Sequence, residues 1–124
     1  MSEVIRFPSA EKLLVATLKP ILGMPVVTKV PNPRPGTFVR LKKVGGTRRD
    51  IVTDSPMVVV ECWAPTGPEA DDLSQLVRGH IFALAPDTVR KVREIAGPQD
   101  FPDPISEHPR YQFTVQLYTR GTAL

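Results

Sequence analysis

The chain has a single cysteine, Cys62, which excludes an internal disulfide and any cysteine-built metal cluster. Nothing in it therefore demands an oxidising compartment. No apolar run reaches the length of a membrane span. The opening residues, Met1 to Pro8, contain no apolar stretch of the kind that marks a secretory signal. These absences predict a protein made and kept in a cytosol-like environment, with no membrane partner.

Histidine is scarce too. His80 falls within a helical pattern and His108 in a proline-rich loop, so neither has an obvious partner in Cys62, which lies in an apolar stretch. A buried free cysteine usually behaves as a small hydrophobe, so a Cys/His nucleophile is not expected, and neither is a metal site. Gly45-Gly46 lacks the Gly-Lys-Ser/Thr ending of a phosphate-cradling loop. Asp50, Asp54 and Glu61 invite comparison with metal-dependent nucleases, but Glu61 is followed by Cys62 and Trp63 where such sites place a lysine. They read better as solvated loop and edge carboxylates. No enzyme and no cofactor are expected.

What is present begins with proline. Fourteen prolines stand against eight aromatic residues in 124. That proportion requires long ordered loops or disorder. The prolines concentrate in Pro31-Asn32-Pro33-Arg34-Pro35-Gly36 and in Gly97 to Pro109, where Phe, Tyr and Arg flank them. Such anchors predict structured loops.

The length suits one domain, residues 1–124, with an ordinary apolar share of 41%. The net charge of +3 is unevenly spread: ten Lys/Arg against four Asp/Glu in residues 1–60, six against nine in residues 61–124. A subunit with a basic and an acidic region could meet nucleic acid, or the opposite region of another copy.

Ser9 can cap a helix carrying Leu13, Leu14, Leu18, Ile21 and Leu22 at helical spacing; Pro20 should kink it or stop it. Short strands are expected at Val26–Val30 and Thr37–Val44, with Gly45-Gly46 opening a polar loop to Pro56. Met57–Trp63 is apolar on both parities, as in a central strand. Thr66 and Glu69 form a capping-box sequence for a helix with Ala70, Leu73, Leu76, Val77, Ile81 and Leu84 along its apolar stripe. Thr88–Ala96 suggests a bulged strand. Tyr111, Phe113, Val115 and Leu117 alternate with Gln112, Thr114, Gln116 and Tyr118, a strand with one buried face. The order fits an α+β fold: an antiparallel sheet of about four or five strands with two helices packed on one face.

The basic run Arg34, Arg40, Lys42, Lys43, Arg48 and Arg49 is uninterrupted by acid before Asp50. Among these cations lies only one aromatic, Phe38, and the glycine-aromatic pattern of RNA-recognition strands is missing, so sequence-specific recognition is not expected. A small nonspecific nucleic-acid-binding protein using residues 34–49 is the alternative reading.

Three stretches together resemble a known family. They are Val30-Pro31-Asn32-Pro33-Arg34-Pro35 leading into Phe38-Val39-Arg40 and Gly45-Gly46; Val52-Thr53-Asp54 leading into Val59-Val60-Glu61-Cys62-Trp63-Ala64; and Phe101-Pro102-Asp103-Pro104 leading into Pro109-Arg110-Tyr111-Gln112-Phe113-Thr114-Val115. This resembles the tail terminator proteins of long-tailed phages infecting actinobacteria, over about Val26 to Arg120. The resemblance implies a virion protein at the tail–neck junction, a hexameric ring of identical subunits. Such a ring caps the tail tube protein, ends its polymerisation and presents a docking face to the head–tail connector, with DNA passing through the lumen unrecognised. The family is not enzymatic. For such a head-to-tail ring, the expected interface residues are Arg34, Arg40, Arg48 and Arg49 as one basic patch, facing Asp71, Asp72, Asp100 and Asp103, with Phe101 adding apolar contact.

Overall fold

The computed structural model describes residues 3–84, 86–87 and 89–124. Along the chain lie β1 (Ile5–Arg6), α1 (Ala10–Leu22), β2 (Val26–Val27), β3 (Phe38–Arg48), β4 (Thr53–Trp63), α2 (Gly67–Phe82), β5 (Lys91–Asp100), β6 (Arg110–Arg120) and β7 (Thr122–Ala123). The principal sheet has five strands in the order β2-β3-β4-β6-β5, and β1 pairs with β7 in a separate two-stranded ribbon. The fold is α+β, as expected. Every neighbouring pair in the large sheet is antiparallel except β2–β3, which is parallel and so makes the sheet mixed.

Both helices cover one face. Leu14 and Leu18 of α1, with Leu73, Val77 and Ile81 of α2, share one core with Val39, Leu41, Val58, Val60, Phe113, Val115 and Leu117. These strand residues have one parity, because directly paired residues of neighbouring strands point to the same side: Val60 opposes both Leu41 and Phe113. The opposite parity, including Phe38, Glu61, Trp63 and Arg110, lies on the face without helices.

Local chemistry explains the helix ends. The Lys12 N–H donates to the Ser9 hydroxyl at 3.3 Å, and the Glu69 N–H donates to the Thr66 hydroxyl at 3.3 Å. The reciprocal half of the second capping box, in which the Thr66 N–H would donate to the Glu69 carboxylate, is not formed. Pro20 does not end α1. It removes one amide near the last turn, and the Gly23 N–H still closes on the Lys19 carbonyl at 3.0 Å, with Gly23 in the left-handed conformation.

Several boundaries differ from the sequence reading: β4 begins at Thr53 rather than Met57, and the β1–β7 ribbon was not expected. The strand expected at Val26–Val30 is confined to Val26–Val27. Gly45 and Gly46 do not open a loop: β3 runs on to Arg48, with an irregularity between Lys43 and Gly45, and the two glycines pair with Met57 and Pro56. At φ 110° and with the Pro56 Cα 2.7 Å from where a Cβ would sit, position 46 admits only glycine. On the other side, β5 is bulged as expected but continues through Gly97 and Pro98 to Asp100, which shortens the second proline loop. Thr88, its expected first residue, lies outside the described residues.

Candidate functional site

At one end of the sheet, on the face without helices, Trp63 forms a platform beneath both proline loops. Its ring stacks on Phe38 with centroids 5.1 Å apart and planes 17° from parallel. The guanidinium of Arg34 lies 5.5 Å from its centroid and that of Arg110 5.1 Å. The indole N–H donates to Glu61 Oε1 at 3.2 Å. Glu61, 6% exposed, also meets Arg40 at 3.4 Å and Arg110 at 3.6 Å. The expectation of a solvated carboxylate at Glu61 is therefore corrected. It sits opposite Arg40 on β3 and Gln112 on β6, under the loops, where two cations compensate its burial.

The loop of residues 101–109 is braced at several points. The Arg110 Nε donates to the Phe101 carbonyl at 2.9 Å, and its guanidinium lies 5.3 Å from the Phe101 ring. Asp103 accepts from the Ser106 hydroxyl at 2.7 Å and the Ser106 N–H at 2.8 Å. Those bonds, the hydroxyl's first, hold the Asp103 carboxyl below its ordinary range. Arg34 ties the first proline loop to this one through Ser106 at 3.4 Å and His108 at 3.0 Å. The bracing leaves Phe101 44% and Ile105 94% exposed.

The four expected arginines do not form one patch. Arg34 and Arg40 belong to the Trp63 end. Arg48 pairs with Asp54 at the other end of β3, eight residues beyond Arg40, a separation of roughly 25 Å. The sequence run became two groups because an extended strand spreads neighbours apart. Arg48 packs over the Phe7 ring at 5.0 Å, and Arg49 over the Tyr118 ring at 5.3 Å. Lys91 reaches the same Tyr118 ring at 5.8 Å, and Arg90 lines the adjoining hollow. None of Arg48, Arg49, Arg90 and Lys91 makes a salt bridge among the described residues.

The acidic candidates are closer together. Asp71, near the start of α2, and Asp100, at the end of β5, both act on Tyr111, whose phenol is raised first by desolvation and then by these two charges. Asp72 is exposed nearby on α2, and Asp103 lies 3.8 Å from Arg110. Asp50, on the tight turn between β3 and β4, accepts the Val52 N–H at 2.9 Å, which lowers its carboxyl.

Geometry also separates the groups a hydrolase would need. Asp54 and Glu61 lie seven residues apart on β4, an odd spacing that sends them to opposite faces. Cys62 faces the helices, where burial pushes its thiol up, whereas His108 packs against Trp63 on the other side. Among the described residues no three His, Cys, Asp or Glu side chains gather as a metal set, and no helix is long and apolar enough to cross a membrane.

Sequence reasoning missed Trp63, Glu61 and Arg110 as one unit. The available signal was parity: all three belong to the face that Gln112 and Gln116 mark as polar, yet two of them are a tryptophan and a carboxylate within an apolar strand. No protein-family model matches the chain, and no curated protein is significantly similar to it.

Proposed function

We propose that this chain is a structural subunit that closes with copies of itself into a ring capping a phage tail tube. The observation that carries the reading is the braced 101–109 loop, which holds Ile105 94% and Phe101 44% exposed on a rigid support. A fixed loop with apolar side chains turned outward is suited to contact between proteins, because little ordering entropy remains to be lost. The resemblance described above supports the nature of the assembly: six subunits, with the tail tube protein below and the head–tail connector above. On this reading the protein belongs to the virion neck and works in the host cytoplasm during assembly.

Native mass spectrometry of the purified chain, alone and after mixing with tail tubes, tests the proposal. A closed ring, with six copies as the expected count, supports it; a chain that stays monomeric in both conditions overturns it.

A second reading is favoured by one observation. Arg49, Arg90 and Lys91 gather about Tyr118 with no salt bridge among the described residues, a cluster suited to phosphate oxygens. A nonspecific nucleic-acid binder would use this end of the sheet rather than the whole 34–49 run. Its duplex-DNA affinity would fall steeply with salt, whereas a ring subunit would bind poorly at any salt near physiological.

A further inference from the structure

An apolar hollow of about 530 Å³ opens between α1 and β2 at the edge of the sheet. Val15, Ala16, Val26, Val27 and Thr28 line it, together with Lys12 and Lys29. Both lysines are exposed, and neither forms a salt bridge among the described residues. None of the described residues fills the hollow, and β2, an edge strand of two residues, leaves it open to approach.

The 101–109 loop has the complementary character. Ile105 is its most exposed apolar side chain, Pro104 lies beside it, and Asp100 and Glu107 add exposed negative charge. We infer that Ile105 of one copy seats in the α1–β2 hollow of the next, with Asp100 and Glu107 meeting Lys12 and Lys29. The inference rests on the ring reading and assigns its subunit contact.

Three observations favour a second copy as occupant. The charges match in sign: the exposed carboxylates of Asp100 and Glu107 lie in the segment that carries the apolar tip, whose Ser106 and His108 are held by Arg34, and the exposed Lys12 and Lys29 line the apolar hollow. The chain cannot use its own loop, because Arg34, Ser106 and His108 hold that loop over Trp63 on the face without helices, whereas the hollow opens on the helix side. Tip and hollow are different patches, as head-to-tail closure by rotation requires.

Disulfide trapping tests the contact directly. The native Cys62 is fully buried, so introduced cysteines are the ones that react. A variant carrying both Ile105→Cys and Val27→Cys should, on oxidation, give a ladder of covalent multimers. In parallel, Ile105→Asp should weaken assembly by on the order of tenfold or more while thermal unfolding of the monomer is unchanged. Reversing Lys12 and Lys29 to Glu should weaken assembly similarly, and combining that variant with Asp100→Lys and Glu107→Lys should restore it. If native mass spectrometry still finds a ring in Ile105→Asp and no ladder forms, this contact is wrong and the ring reading stands. If the hollow takes a different protein, the charge swap within one chain will not rescue assembly, and the inference fails. A chain monomeric under every condition removes both readings.

Discussion

Replacing Glu61 with glutamine tests whether the charge beneath the loops organises this end of the molecule. The side chain is 8% exposed and receives Trp63 Nε1 at 3.2 Å, Arg40 at 3.4 Å and Arg110 at 3.6 Å. Glutamine keeps the shape and can still accept from the indole, but it removes the charge that compensates Arg110, itself 7% exposed. Removing one partner of a fully buried pair costs about 3–5 kcal/mol. Here Arg110 retains Asp103 at 3.8 Å and the Phe101 carbonyl at 2.9 Å, so it is not left alone. The expected loss lies between that figure and the roughly 1 kcal/mol of a neutral hydrogen bond, at about 2–3 kcal/mol. At roughly 3–5 °C per kcal/mol for a domain of this size, Tm should fall by about 6–15 °C. Urea unfolding followed by fluorescence reads the site itself, because Trp63 is the sole tryptophan. A double-mutant cycle with Arg110→Met should give a coupling of about 1–3 kcal/mol. A loss under about 0.5 kcal/mol, or strict additivity with Arg110→Met, would refute the reasoning.

Other perturbations address separate links. Phe113, 1% exposed between the sheet and the helices, should cost about 3–5 kcal/mol when truncated to alanine; a denaturation measurement below about 1 kcal/mol would mean that its cavity collapses. Thr66→Ala should cost roughly 1 kcal/mol, whereas Glu69→Ala should cost under about 0.5, because only the threonine half of the capping box is made; equal losses would contradict this. Gly46→Ala should lose roughly 2–3 kcal/mol, since alanine disfavours φ 110° and its Cβ would press on the Pro56 backbone; an unchanged Tm would show that the strand yields there. Asp103 is held below its usual carboxyl range of about 3.8, so its contribution is complete above that pH and is lost as pH falls through its lower folded value. Amide exchange at Ser106 should accelerate relative to the strand amides in that acidic window, and a constant ratio would count against the Asp103 brace.

Most of the fold was legible because its signals are local. Tyr111 to Tyr118 alternates without a break, and Ser9 and Thr66 each announce a helix start. Gly45-Gly46 misled because paired glycines usually punctuate loops. Here the register irregularity and the close approach to Pro56 absorb them into a strand, and that approach depends on a partner remote in sequence. Pro98 misled in the same way: a proline is tolerated in β5 because the strand is an edge and is bulged there. The site was less legible. Arg34, Phe101 and Asp103 were singled out for charge or exposure, but their shared support at Trp63 needs three distant segments to converge. Parity alone separates the buried Glu61 from a solvated carboxylate only once the sheet order is known.

The cluster under the loops bears on which proposed function the fold serves. Apolar residues at positions 61 and 110 could hold the sheet at least as well as a buried ion pair, since desolvation offsets most of what such a pair gains. They could not orient the loop. Arg110 is one rigid fork: its Nε takes the Phe101 carbonyl, its Nη1 meets Glu61 and Asp103, and its plane lies near both the Trp63 and Phe101 rings. One side chain thereby fixes β4, β6 and the loop in a single geometry before any partner arrives. Each side chain ordered in advance removes about 0.5–1.5 kcal/mol from the cost of association. A phosphate binder gains nothing from that arrangement, because the loop it stiffens carries Asp103 and Glu107 and follows directly on Asp100, carboxylates that repel phosphate. The rigid end and the basic end therefore suit the two proposed readings separately. The rigid end, with its exposed Ile105, is the one that argues for contact between subunits.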